Sequence, residues 1–167
     1  MSQKVSGGFR DIEGFREFLD HWHADKKIFA TSGGFDPVHV GHLRCFNSMR
    51  EISESHDQDA LTVVIVNGDG FLERKKGFAF MNEKERLEII SGFSSVDYAV
   101  LWNDESQTVC GALEILKPDF FCKGGDRDSF NNVPESKVCA DIGCQVLFNV
   151  GGGKVQSSSS LVDRMES

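Results

Sequence analysis

The run Leu61-Thr62-Val63-Val64-Ile65-Val66 constrains the fold more than any other segment. It is apolar or β-branched at odd and even positions alike, so both faces of the strand it forms must be covered. A strand buried on both sides belongs in the middle of a parallel sheet, and parallel neighbours need crossover connections, usually helices. The rest of the chain supplies them in alternation. Ile12, Phe15, Phe18, Leu19 and Trp22 recur at helical spacing and predict a helix over 11–23, with Asp11 as its cap. A short strand over 27–31 runs into Ser32-Gly33-Gly34, and a helix over 40–53 follows. Further on come a helix over 82–93 with Asn82 as N-cap, a strand over 96–101, and a helix over 106–116 stopped by Lys117-Pro118. A strand over 119–122 ends at Gly124-Gly125. A helix over 134–142, a strand over 145–150 and a final short helix over 158–165 complete the pattern. Residues 1–10 read as a loose tail.

This alternation predicts an α/β chain: a doubly wound, five-stranded parallel sheet in one domain spanning 1–167. Ligands of such sheets sit beyond the carboxyl ends of the strands. The unusual segments 32–41, 67–76, 123–128 and 151–159 fall there and read as loops. The length matches one complete domain. Net charge narrows the partners: 26 Asp and Glu against 18 Lys and Arg leave −8. Such a surface does not coat nucleic acid and is repelled by anionic membranes. The 5 cysteines are scattered, with no CxxC, and read as reduced intracellular thiols. No signal core or membrane-length apolar run is present. The expectation is therefore a cytoplasmic protein.

The chemistry concentrates in Gly33-Gly34-Phe35-Asp36-Pro37-Val38-His39-Val40-Gly41-His42, between a strand and a helix. Gly33 and Gly34 let backbone approach a ligand, and N–H groups at the start of the following helix favour phosphate. His39 and His42 are three apart and share a face in the first helical turn. Gly41 between them leaves room for a phosphate or base. Two imidazoles on one anion pocket suit an intermediate that gains negative charge. The dinucleotide GxGxxG spacing is absent, and no Cys or carboxylate stands at zinc-ligand spacing to the histidines.

GGFDPVHVGH resembles the GxFDxxHxGH signature of the HxGH nucleotidyltransferase superfamily. KKIFATSGGFD is similar to the first strand and turn of sugar-phosphate adenylyltransferases. VNGD, SVDYAVLWNDES and LKPDFFCKGGD are similar to segments of the D-glycero-β-D-manno-heptose 1-phosphate adenylyltransferase domain, and SSSLVDR to its Ser-Thr-Thr segment. Other pieces point elsewhere. KKGFAFMNEKER resembles a loop of choline-phosphate cytidylyltransferases, yet Gly153-Lys154-Val155-Gln156 replaces their Arg-Thr-Glu-Gly. GGFDPVHVGHLR also resembles nicotinate-mononucleotide adenylyltransferases.

The resemblance implies a Rossmann-like nucleotidyltransferase without the kinase domain that some relatives carry. An acceptor phosphate attacks the α-phosphorus of a nucleoside triphosphate (ATP, or CTP) accompanied by Mg²⁺, and pyrophosphate leaves. It implies that His39, His42, Lys76 and Lys123 are catalytic. Ser32, Gly33, Gly34, Phe35, Gly41, Gly124, Asp126, Ser157, Ser158 and Ser159 would bind the nucleotide. Asp36, Arg44 and Asp69 would face the acceptor; no protein ligand to the metal is implied. Arg164 is either a phosphate contact or a helix-end charge, and Arg86 reads as a residue tying elements together. Adenylyl transfer to a heptose 1-phosphate is the first reading. A cytidylyltransferase of a polyol or amino-alcohol phosphate and a non-catalytic nucleotide-binding module are the rivals. The family often forms homodimers, for which the Phe-rich N-terminal helix is a candidate surface.

Overall fold

The computed structural model describes residues 7–56, 59–124 and 134–151. Eleven elements follow in order: α1 (Ile12–Trp22), β1 (Ile28–Gly33), α2 (Val40–His56), β2 (Leu61–Asn67), α3 (Asp69–Lys76), α4 (Glu83–Ser91), β3 (Tyr98–Trp102), α5 (Cys110–Leu116), β4 (Phe120–Cys122), α6 (Ser136–Ile142) and β5 (Gln145–Leu147). The five strands are parallel in the order β3-β2-β1-β4-β5. The chain thus winds one way from β1 to β3, then returns past β1 to β4 and β5. The strand order reverses between β1 and β4, and sheets of this kind bind ligands beyond the carboxyl ends of the strands at such a reversal.

β2 is buried along its whole length, as its two-sided apolar sequence requires. Alternate residues feed two cores. Val63 and Ile65 join Phe15, Leu19, Val100 and Leu113 on the face covered by α1, α5 and α6. Val64 and Val66 join Phe46, Met49, Leu87 and Ile90 on the face covered by α2 and α4. Asp11 caps α1 by accepting from the Glu13 N–H, and Asn82 caps α4 by accepting from the Glu85 N–H. Among the described residues no helix is long and apolar enough to cross a membrane.

Several boundaries depart from the sequence expectations. The amino-terminal stretch is ordered at its end: Phe9 bridges to Val100 beside β3, donating to the Ala99 carbonyl and accepting from the Leu101 N–H. Its ring lies 4.6 Å from Phe15 and 5.1 Å from Phe18. The Phe-rich face of α1 is accordingly spent on the protein's own core, with Phe15 and Leu19 fully buried. Trp22 stands out from this helix as a large exposed apolar side chain. Segment 67–76, expected as a loop, contains α3. That helix buries only Leu72, so no apolar stripe announces it; Gly77 in the left-handed conformation (φ 88°) ends it. α5 begins at Cys110 rather than 106 because hydroxyls claim the preceding backbone. Ser106 Oγ donates to the Thr108 carbonyl, and Thr108 Oγ1 accepts from the Cys110 N–H. α6 starts at Ser136, two residues after Pro134, and β5 stops at Leu147. Beyond it the Val150 N–H turns back to the Lys123 carbonyl. The helix expected over 158–165 lies outside the described residues.

Candidate active site

β1 delivers the glycine turn to the carboxyl end of the sheet. A Cβ on Gly33 would stand 2.9 Å from the Phe35 ring, and one on Gly34 would stand 2.7 Å from Leu72 Cδ2, so neither position admits a larger residue without rearrangement. Phe35 itself takes a left-handed backbone (φ 55°). Its ring is held there by Phe46 and by the edge of His42, at centroid separations of 5.5 and 4.9 Å. A bulky residue at positive φ is costly and persists only when packing over-determines it.

The two histidines stack, with ring centroids 3.9 Å apart and planes 27° apart. The His39 N–H donates to His42 Nδ1, and the Gly41 N–H donates to His39 Nδ1, each at 3.1 Å. An Nδ1 that accepts carries no proton, so in the neutral rings both protons sit on Nε2. Backbone geometry thereby sets the tautomer: each imidazole presents Nε2–H as a donor. Burial, and then the charge of neighbouring His39, lower the His42 pKa to about 3. His42 is therefore neutral at physiological pH and acts as a fixed hydrogen-bond donor.

Asp36 is nearly fully buried and clamps the segment between α3 and α4. Its two carboxylate oxygens accept from the Phe80 and Met81 N–H groups, each at 2.6 Å. Lys76 closes the cluster, with Nζ 2.9 Å from Asp36 Oδ2 and donating to the Asp36 carbonyl at 2.8 Å. Lys76 thus lies beside the motif with its ammonium engaged by Asp36. Phe78 and Phe80 stand half exposed on the clamped segment. Asp69, at the start of α3, pairs with Arg86, and its N–H donates to Glu83 Oε1.

Arg86 is the hub beneath the turn. It is completely buried. Its Nε donates to the Met81 carbonyl at 2.9 Å, and one Nη donates to both the Gly34 and Asn67 carbonyls at 2.7 and 2.5 Å. The other Nη reaches Asp69 Oδ1 at 2.8 Å. The expectation that Arg86 ties elements together is met, and its bond to the glycine turn is one that local patterning does not show. The available signal was an arginine on the same helical face as Leu87 and Ile90.

Across the crevice, Lys123 follows β4 and its Nζ lies 5.2 Å from the Phe121 ring centroid. Burial raises the pKa of the Cys45 thiol, against smaller opposing effects of the Thr31 side chain and the Lys123 charge. Gly124 sits against Cys45 and the Val150 carbonyl. Ser32 lies half-buried near the end of β1, Gly41 in the first turn of α2, and Arg44 exposed on α2 next to Cys45. The structure therefore ties the glycine turn to Lys76 and Arg86 through hydrogen bonds, and brings Gly124, next to Lys123, against Cys45 of α2. Asp126, Ser157, Ser158, Ser159 and Arg164 lie outside the described residues.

A parallel sheet of this order, with paired imidazole donors and a glycine turn at its switch point, defines an α/β nucleotide-binding protein built for phosphate chemistry. A model of the cytidylyltransferase-like family matches residues 30–141. The chain belongs to this family of nucleotidyltransferases. It is 34% identical over 142 residues to the bifunctional protein HldE of Citrifermentans bemidjiense, covering 84% of this chain and 27% of that protein. It is 33% identical over 127 residues to the HldE of Hahella chejuensis, covering 74% and 25%. The chain thus spans about a quarter of the length of these curated relatives. Among solved structures it resembles the lipopolysaccharide core biosynthesis protein of Thermoplasma volcanium, with a TM-score of 0.54 and 26% identity over 74% of this chain and 93% of that one.

Proposed function

We propose that the protein transfers a nucleoside monophosphate from a triphosphate to a sugar phosphate, and that the reaction is adenylyl transfer to a heptose 1-phosphate. The observation that carries the reaction type is the pair of Nε2–H donors held at the glycine turn by backbone hydrogen bonds. The similarity to HldE proteins and the heptose-branch segments VNGD and KGGD support the acceptor and base.

An oxygen of the acceptor phosphate attacks the α-phosphorus, a P–O bond forms, and the bond to the pyrophosphate oxygen breaks. The acceptor oxygen is already anionic, so no side chain need act as nucleophile. The protein's task is positioning and charge stabilisation. His39 and His42 donate to phosphate oxygens as charge accumulates, and they are preorganised because their rings cannot turn without breaking the Nδ1 bonds. Lys123 supplies positive charge from the opposite wall of the crevice. Lys76 holds Asp36 and the clamped segment, and reaches phosphate by exchanging its carboxylate partner for the ligand. Asp36 shapes the acceptor side by fixing the Phe80–Met81 backbone, and Asp69 acts there through Arg86.

Among the described residues no cluster of three His, Cys, Asp or Glu side chains is placed to hold a metal, and both Asp36 oxygens are engaged. A magnesium ion accompanying the triphosphate would neutralise charge on the leaving pyrophosphate. A cytoplasmic site of action accompanies this reading, since that is where nucleoside triphosphates are available.

Pyrophosphate release measured with ATP or CTP, across heptose, hexose, polyol and amino-alcohol phosphates, tests the proposal. Release with ATP and a heptose 1-phosphate is expected. Turnover confined to CTP with a polyol or amino-alcohol phosphate would replace base and acceptor. Tight ATP binding without turnover for any acceptor would refute the enzyme reading.

A further inference from the structure

Five buried side-chain polar atoms among the described residues have no hydrogen-bond partner: His23 Nδ1, Asn67 Oδ1, Ser95 Oγ, Trp102 Nε1 and Glu135 Oε2. A buried polar group left unpaired is destabilising, so its retention calls for a cause. Three of the five gather at one place. Asn67 and Trp102 close β2 and β3 and are directly paired in register. By strand alternation both point to the sheet face covered by α1, α5 and α6, where Trp102 packs against that core. Glu135 reaches the same corner: its Oε1 lies 3.5 Å from the Val109 N–H, and Val109 belongs to the same core. The Trp102 ring also lies under the first turn of α5, 2.7 Å from where a Cβ on Gly111 would be.

This corner adjoins the proposed site. One guanidinium nitrogen of Arg86 bonds both the Gly34 and Asn67 backbone carbonyls, so the end of β2 stands next to the glycine turn that carries the histidines. Asn67 is nine-tenths buried. The free groups form a set of acceptor, donor and acceptor. That set matches hydroxyls, each of which can both donate and accept, and with Glu135 in it the set is unsuited to a phosphate.

We propose that Asn67 and Trp102 are specificity-determining residues that read hydroxyl groups of the acceptor sugar, Asn67 Oδ1 accepting and Trp102 Nε1–H donating. This rests on the sugar-phosphate reading above. The phosphate lies with the histidines and lysines, and the polyhydroxyl end extends along the carboxyl ends of β2 and β3 beneath the start of α5.

The test uses Asn67→Leu, which removes the side-chain amide, and Trp102→Phe, which removes the indole N–H and keeps an aromatic ring. Acceptor KM, ATP KM and kcat are measured with hexose and heptose 1-phosphates and their monodeoxy analogues. Thermal melts and calorimetric titration of the same sugar phosphates without nucleotide accompany them. Each variant is expected to raise acceptor KM about 3- to 10-fold, the worth of one neutral hydrogen bond. ATP KM should stay constant, and the preference for the hydroxylated acceptor over one deoxy analogue should vanish. Transfer with unaltered acceptor KM in both variants overturns the inference. So does a fall in Tm without a change in acceptor KM, the mark of groups that bond buried water. Sugar-phosphate binding that weakens in Trp102→Phe, with no transfer to any acceptor, would overturn the proposed reaction and keep the hydroxyl-reading pair. Neither transfer nor sugar-phosphate binding would overturn both.

Discussion

Replacing Arg86 with Met tests the hub beneath the glycine turn. Methionine fills much of the arginine volume, so the loss isolates the guanidinium. Three carbonyls, those of Gly34, Asn67 and Met81, lose their donor, and the Asp69 carboxylate loses its partner. A sealed, unpaired carbonyl costs about 1–3 kcal/mol. Asp69 keeps 31% of its side chain exposed, so water recovers most of its loss and the ion pair adds little. Met81 sits at the edge of the clamped segment and is partly rehydrated. The expected destabilisation is about 3–5 kcal/mol, a large share of the total stability of a domain of this size. With a urea m-value of about 2 kcal/mol per M, the unfolding midpoint should fall by about 2 M. Arg86→Lys should recover part of this, since one ammonium can serve a carbonyl or two but cannot span all three. Arg86→Met combined with Asp69→Asn should regain less than about 1 kcal/mol, because the carbonyls carry the cost. A single-variant loss below about 1 kcal/mol, or full rescue by Asp69→Asn, would refute the backbone-clamp reasoning and return the residue to an ordinary ion pair.

His42→Ala should leave the chain folded by circular dichroism while lowering transfer by about 10²–10³-fold, the usual cost of one preorganised donor; near-normal turnover would remove His42 from the mechanism. The same residue should make stability pH-dependent. Its folded pKa is lowered to about 3 from 6.5, so the unfolded chain takes up a proton that the folded chain refuses. Its contribution is complete above about pH 6.5 and is lost as pH falls toward 3, by up to about 1.4 kcal/mol per unit. Urea melts between pH 7 and pH 5 should show about 2 kcal/mol of this loss in the parent and a shallower slope in His42→Ala. Equal slopes would show that His42 takes up its proton alike in the folded and unfolded chains, so that its burial does not lower its pKa.

Local patterning was enough to place β2, the five-strand alternation and the glycine turn that ends in the two histidines. These rest on periodicity and on residue types that act within a few positions of one another. Such forces are blind to contacts between distant positions. α3 is helical although polar because Gly77 ends it and because Asp69, Arg74 and Lys76 are tied to Arg86, Gln107 and Asp36. Phe9 joins the sheet because Phe15, Phe18 and Tyr98 gather around it, which a flexible-looking glycine pair before it conceals. The tautomer of the histidines is an intermediate case: the residues are local, but their roles follow from two backbone hydrogen bonds that only coordinates reveal.

The sequence by itself determined that this chain builds a doubly wound sheet and presents a histidine pair at the end of β1, because burying β2 on both faces leaves few other arrangements. The tertiary structure alone decided what surrounds that pair. Asp36 meets Phe80 and Met81 across 44 and 45 positions, and Arg86 meets Gly34 across 52. Bonds across such separations depend on how the strands pack, and no local pattern encodes them.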